Sequence, residues 1–72
     1  MDTKTVDARG LSCPEPAMLT RNALKAQGGG QVIVLVDAVT ARNNVARTAQ
    51  LAGWQATIEE LPDGTYRLTL TK

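Results

Sequence analysis

Histidine and phenylalanine are absent from the 72 residues, cysteine occurs once, at Cys13, and Trp54 and Tyr66 are the only aromatic side chains. Without histidine no Ser-His-Asp or Cys-His pair can form, and one thiol without an imidazole cannot assemble a zinc site. A lone cysteine excludes an internal disulfide and a Cys-x-x-Cys redox couple. The longest apolar run, Val32-Ile33-Val34-Leu35-Val36, falls far short of the ~20 residues that span a bilayer as a helix. Met1-Asp2-Thr3-Lys4 lacks the apolar stretch of a signal peptide. These absences lead us to expect a soluble chain in a reducing cytoplasm, with no cofactor and no metal. Eight basic and seven acidic residues leave a formal charge of +1. That balance, with so few aromatics, provides neither the basic stripe nor the stacking surface that nucleic-acid binding requires.

What is present reads as one domain over residues 1–72 with a small core. Lys4 to Ala8 is expected as a short strand with Val6 and Ala8 on one side, followed by a turn over Arg9 to Ser12. From Pro14 to Gln27 a helical period groups Pro16, Ala17, Leu19, Thr20, Ala23, Leu24 and Ala26 on one face, opposite Arg21, Asn22 and Lys25. Met18 falls among the polar residues. Gly28-Gly29-Gly30 stops the helix. Gln31 to Asp37 has the unbroken β-branched and aliphatic run of a central strand. Thr40 is the expected N-cap of a second helix to about Ala52, with Ala41, Val45, Thr48, Ala49 and Ala52 inward and Asn43, Arg47 and Gln50 outward. Gly53 ends it. Trp54, Ala56 and Ile58, then Tyr66, Leu68 and Leu70, alternate with polar residues around Pro62-Asp63-Gly64, the pattern of a closing hairpin.

The order β-α-β-α-β-β predicts an α/β fold, an α+β two-layer sandwich with a four-stranded mixed sheet and two helices on one face. Such an arrangement turns one row of the central strand, either Val32, Val34 and Val36 or Ile33 and Leu35, away from the helices.

Chemistry converges on Cys13 within Ser12-Cys13-Pro14-Glu15-Pro16. Pro14 and Pro16 suit the first turn of a helix, so the thiol is expected at free N–H groups and the positive end of a helix dipole, which favour the thiolate. Parallel first and second strands would bring Arg9 and Gly10 beside Asp37, Thr40 and Arg42, at the edge where ligands of open α/β sheets collect. Glu15 opposes an anionic sulfur by charge while stabilising the helix start.

The run Asp7-Ala8-Arg9-Gly10-Leu11-Ser12-Cys13-Pro14-Glu15-Pro16 resembles the signature of the TusA/SirA/YedF family of small sulfur-carrier proteins, in which a CPxP motif opens the first helix. Asp37, then Thr40-Ala41-Arg42-Asn43-Asn44-Val45 and Gly53, is most similar to the YedF-like branch. The resemblance implies a persulfide carried on Cys13 and framed by Pro14 and Pro16. It further implies a donor such as a cysteine desulfurase or a rhodanese-like protein, an acceptor protein, and a carrier role rather than multiple turnover by the chain alone. TusA-type relatives feed tRNA thiolation, cofactor biosynthesis or oxidative sulfur metabolism, and YedF-like ones have been linked to selenium.

Each secondary residue has a plainer reading beside the functional one. Arg9 is either a solvated loop charge or an orienting cation; Asp37, Thr40 and Arg42 either shape a loop and cap or belong to the site. Met18, about one turn from Cys13, is either a scattered surface apolar residue or a docking contact, and Arg21 is either solvated or partner-facing. The competing functions are a non-catalytic binding or regulatory module, with nucleic acid as one candidate ligand, and a sulfur acceptor for a membrane permease importing thiosulfate.

Overall fold

The computed structural model of the protein describes residues 3–11 and 15–72. Ser12, Cys13 and Pro14 lie outside the described residues, so the expected strand-to-helix junction is seen only from its flanks. The elements are β1 (Thr3–Asp7), α1 (Glu15–Gln27), β2 (Gln31–Val36), α2 (Val39–Leu51), β3 (Gln55–Glu60) and β4 (Tyr66–Thr71). The sheet order is β1-β2-β4-β3, with β1 parallel to β2 and β4 antiparallel to both β2 and β3. The connections β1-α1-β2 and β2-α2-β3 advance in one direction across the sheet, so right-handed crossovers bring both helices to one face.

That face holds the core. Val32, Val34 and Val36 of β2 and Leu68 and Leu70 of β4 are fully buried beneath Leu24 and Ala23 of α1 and Ala41, Val45 and Ala49 of α2. The alanines allow close helix approach in a chain too small for thick layers. Ile33 and Leu35 are the row turned away, half-buried among threonines and the Glu59–Arg67 ion pair across the hairpin.

The end of α2 and the hairpin turn both follow from glycine. Gly53 adopts φ +86°, its N–H donates to the Gln50 carbonyl at 3.1 Å, and the Trp54 N–H donates to the Ala49 carbonyl at 2.9 Å. This is a Schellman end, and it folds Trp54 into the core at 4% exposure. In the hairpin, Gly64 at φ +87° closes a turn on the Leu61 carbonyl at 3.1 Å while Leu61 N–H donates to Thr65.

Four expectations are corrected. The N-cap of α2 is Ala38, in extended conformation with no side-chain cap, and Thr40 lies exposed inside the first turn. The Arg42 N–H already closes that turn on the Ala38 carbonyl at 2.9 Å, two residues ahead of a Thr40 cap. Leu19 and Ala26 are exposed rather than inward, because β1 is the last strand and no further strand lies beneath that side of α1. Ala52 is exposed as the helix C-cap, past the last buried turn. Ile58 is 45% exposed because β3 is the opposite edge strand.

Candidate functional site

The carboxyl ends of β1 and β2 share one edge because the strands run parallel in register, with Asp7 beside Leu35. The ladder continues one residue further, since the Ala8 N–H donates to the Leu35 carbonyl at 2.8 Å. Ala8 is thereby buried in the core while Asp7, Arg9 and Gly10 stand exposed above it. Both helices run back from this edge, so their N-termini lie along it, as the sequence predicts.

Asp37 ties the two loops together. Its carboxylate accepts the Gly10 N–H on both oxygens, at 3.2 and 3.1 Å, at a residue whose φ of +76° suits glycine. Leu11 then packs against the core, and the chain passes through the undescribed Ser12, Cys13 and Pro14 to Glu15, the first residue of α1. Pro16 is buried under that first turn, and the Thr20 hydroxyl donates to its carbonyl at 2.8 Å. Segments on both sides of Cys13 are thus anchored, one by a hydrogen-bonded loop and one by a buried proline.

Arg9 is engaged by a carboxylate. Its Nε and Nη2 donate to Asp7 Oδ1 and Oδ2, each at 2.9 Å, and its backbone N–H donates to Oδ1 at 3.2 Å. This fork holds the Asp7 carboxyl down at about 2, first through the Arg9 side chain and then through the backbone N–H. Arg9 is pushed up in turn, chiefly by Asp7, with Asp63 and Asp37 adding at longer range. Paired with Asp7, Arg9 contributes a fixed, largely compensated charge rather than a free cation.

Arg42 is placed differently. Its guanidinium lies 5.0 Å from the centre of the Tyr66 ring, and its Nε and Nη2 donate to Asn43 Oδ1 at 3.2 and 3.1 Å. Tyr66 stands opposite Val36 at the end of β2, which sets Arg42 beside the Asp37 loop. Among the described residues it meets a ring and an amide and no carboxylate, so its charge is oriented there without a carboxylate partner. The first turn of α2 carries no acidic residue and no side-chain cap, whereas Glu15 occupies the first turn of α1.

Arg9, Gly10, Asp37 and Arg42 therefore share one edge, with Thr40 exposed in the adjoining turn. Met18 and Arg21 lie exposed on α1, and Met18 keeps 57% of its surface. Asp7, Asp63 and Tyr66 are additions that the residue-by-residue reading did not select. The Asp-x-Arg spacing across a turn signals the Asp7–Arg9 pair, but Tyr66 reaches Arg42 only through strand register. Among the described residues no group of three His, Cys, Asp or Glu side chains could hold a metal, and no helix is long and apolar enough to cross a membrane.

A sequence model of the family described as sulfurtransferase TusA matches residues 4–72. The fold is similar to the crystal structure of a SirA-like protein from Desulfitobacterium hafniense, at TM-score 0.89 and 35% sequence identity, over 97% of this chain and 96% of that one. These matches carry the TusA/SirA grouping and do not distinguish a YedF-like branch within it.

Proposed function

The chain belongs to the TusA sulfurtransferase family, whose role is sulfur carriage, and on that premise we propose that it holds sulfur as a persulfide on Cys13 and relays it from a donor protein to an acceptor. The Cys13 thiolate attacks the outer sulfur of a donor persulfide, the donor sulfur–sulfur bond breaks, and the donor leaves as a thiolate. In the second half an acceptor thiolate attacks the carried sulfur and Cys13 departs as a thiolate. No net oxidant or reductant is consumed in either step.

The observation that carries this reading is the Asp37–Gly10 tie, which locks the segment leading to Cys13 against the edge where both helices begin. A persulfide is more acidic than a thiol, so an uncapped helix start and the Arg42 guanidinium held over Tyr66 favour the anion without a general base. Pro14 and Pro16 frame the sulfur, Glu15 stabilises the helix start, and Arg9 and Thr40 shape the rim. Met18 and Arg21 serve as docking contacts for a cysteine desulfurase or rhodanese-like donor and for the acceptor, working in the cytoplasm. Residues 1–72 act as one carrier domain.

Intact-protein mass spectrometry after incubation with a cysteine desulfurase and cysteine tests the proposal. A gain of one sulfur atom that dithiothreitol removes and Cys13→Ser lacks is the expected result. Absence of that gain, with thiosulfate and polysulfide also failing as donors, would overturn it.

A further inference from the structure

Tyr66 opens β4 at the end of the sheet where β1 and β2 finish, opposite Val36 and beside the Asp37 loop. Strand alternation puts it in the row of Leu68 and Leu70, which faces the helices, and it is half-buried there against the core. The Arg42 guanidinium lies over this ring, 5.0 Å from its centre, and its Nε and Nη2 donate to Asn43 Oδ1. The first turn of a helix is the unfavourable end for a cation, and α2 has no acidic residue there to offset Arg42. A ring and an amide, both neutral, therefore fix the direction of this charge without cancelling it.

We propose that Tyr66 is a positioning residue: with the Asn43 amide, its ring holds the Arg42 guanidinium at the reactive edge, where the cation favours the anionic form of the Cys13 sulfur. This role rests on Cys13 being the sulfur carrier, and it adds a residue of the last strand to that site. Two hydrogen bonds bring the parts together. The Arg42 N–H donates to the Ala38 carbonyl at 2.9 Å, and the Gly10 N–H donates to the carboxylate of Asp37, the preceding residue. Cys13 follows Gly10 by three residues, a reach of at most about 11 Å. Screening lengths of about 8 Å at physiological salt and about 30 Å at 10 mM let a fixed cation act over such a span. The other charges along this edge are Glu15, Asp37, Asp63, Glu60 across from Tyr66, and the Asp7–Arg9 pair. The lone carboxylates oppose the anion and the pair largely cancels, which leaves the favourable term to Arg42. A guanidinium released from the ring is solvated, samples many directions and contributes less.

The pH dependence of Cys13 alkylation by iodoacetamide, in about 10 mM salt, tests this on the protein alone. Arg42→Gln should raise the midpoint by about 0.3 pH unit or more, the shift that a unit charge ~10 Å away produces in water. Tyr66→Leu should give a smaller rise of the same sign, and Tyr66→Phe, which keeps the ring, should titrate like the unsubstituted protein. In the Arg42→Gln background Tyr66→Leu should add nothing, because the ring then has no cation to place. No rise in Arg42→Gln, a midpoint unmoved by Tyr66→Leu, or a rise in Tyr66→Phe equal to that in Tyr66→Leu would overturn the proposal. So would an equal effect of Tyr66→Leu in both backgrounds, which would mean that Tyr66 acts through the packing of β4. Alkylation needs no sulfur donor, so failure of persulfide loading would overturn the carrier reading and leave this result standing.

Discussion

The Asp37 carboxylate takes the Gly10 N–H on both of its oxygens, which makes one side chain of the β2–α2 loop the clasp of the β1–α1 loop. Asp37→Ala should release that clasp without disturbing the sheet, since Asp37 is exposed and follows the last residue of β2. The expected outcome is faster amide exchange at Gly10 and a slower sulfur-loading rate at Cys13, with the denaturation midpoint nearly unchanged. Hydrogen exchange by NMR and desulfurase-driven loading check the two halves. Unchanged Gly10 exchange would show that the loop is held by other contacts.

The Asp7–Arg9 fork predicts a pH signature. The folded Asp7 carboxyl is lowered from 3.8 to about 2, so its contribution to stability is complete above the unfolded value and disappears as pH falls through the folded one. Carboxyl-carbon NMR should record a midpoint near 2 for Asp7, returning toward the ordinary carboxylate range in Arg9→Gln. Because the charges of the fork largely cancel, replacing both partners, Asp7→Asn with Arg9→Gln, should alter the alkylation midpoint of Cys13 only slightly. Arg42→Gln should raise that midpoint more. The reverse ranking would restore Arg9 as the cation that favours the anionic sulfur.

Element order, the helix stops and the closing hairpin are legible in the sequence because each has a local cause: period, glycine or a turn triplet. The orientation of β2 is not, since Val34 and Leu35 are equally apolar and only the helices above decide which row is covered. Leu19 and Ala26 mislead for a related reason. Helical periodicity reports an apolar face but not how far the sheet extends beneath it. The Asp37 clasp and the Arg42–Tyr66 stack join residues 27 and 24 apart, and they exist only once register has been set. Thr40 obeys the residue preference for a cap, yet the turn closes two residues earlier, on Ala38.

Leu68 is fully buried at the centre of β4, between Val34 and Ile58 in register. Leu68→Ala removes a core side chain and leaves a cavity, at a cost of about 2–5 kcal/mol. Against a total on the order of 4–11 kcal/mol for a chain of this length, that is a large fraction. Urea denaturation should show a much lower midpoint, and sulfur loading should fall in proportion to the folded fraction. A loss below about 1 kcal/mol would mean that the two layers close over the vacancy.

Met18 stands 57% exposed on α1, one turn beyond Glu15, with Arg21 also exposed nearby on the same helix. An unbranched thioether in that position adapts to varied partner surfaces, whereas a carboxylate must be desolvated against them. Met18→Glu should therefore reduce kcat/KM for sulfur transfer from a desulfurase about tenfold, as loss of an interface anchor worth about 1.4 kcal/mol does. The effect should fall on KM. Alkylation of Cys13 by iodoacetamide should proceed at the rate of the unsubstituted protein, because the substitution weakens docking and leaves the thiol in place. A parallel drop in alkylation would instead assign the carboxylate an electrostatic effect on Cys13, and unchanged transfer would remove Met18 from the docking surface.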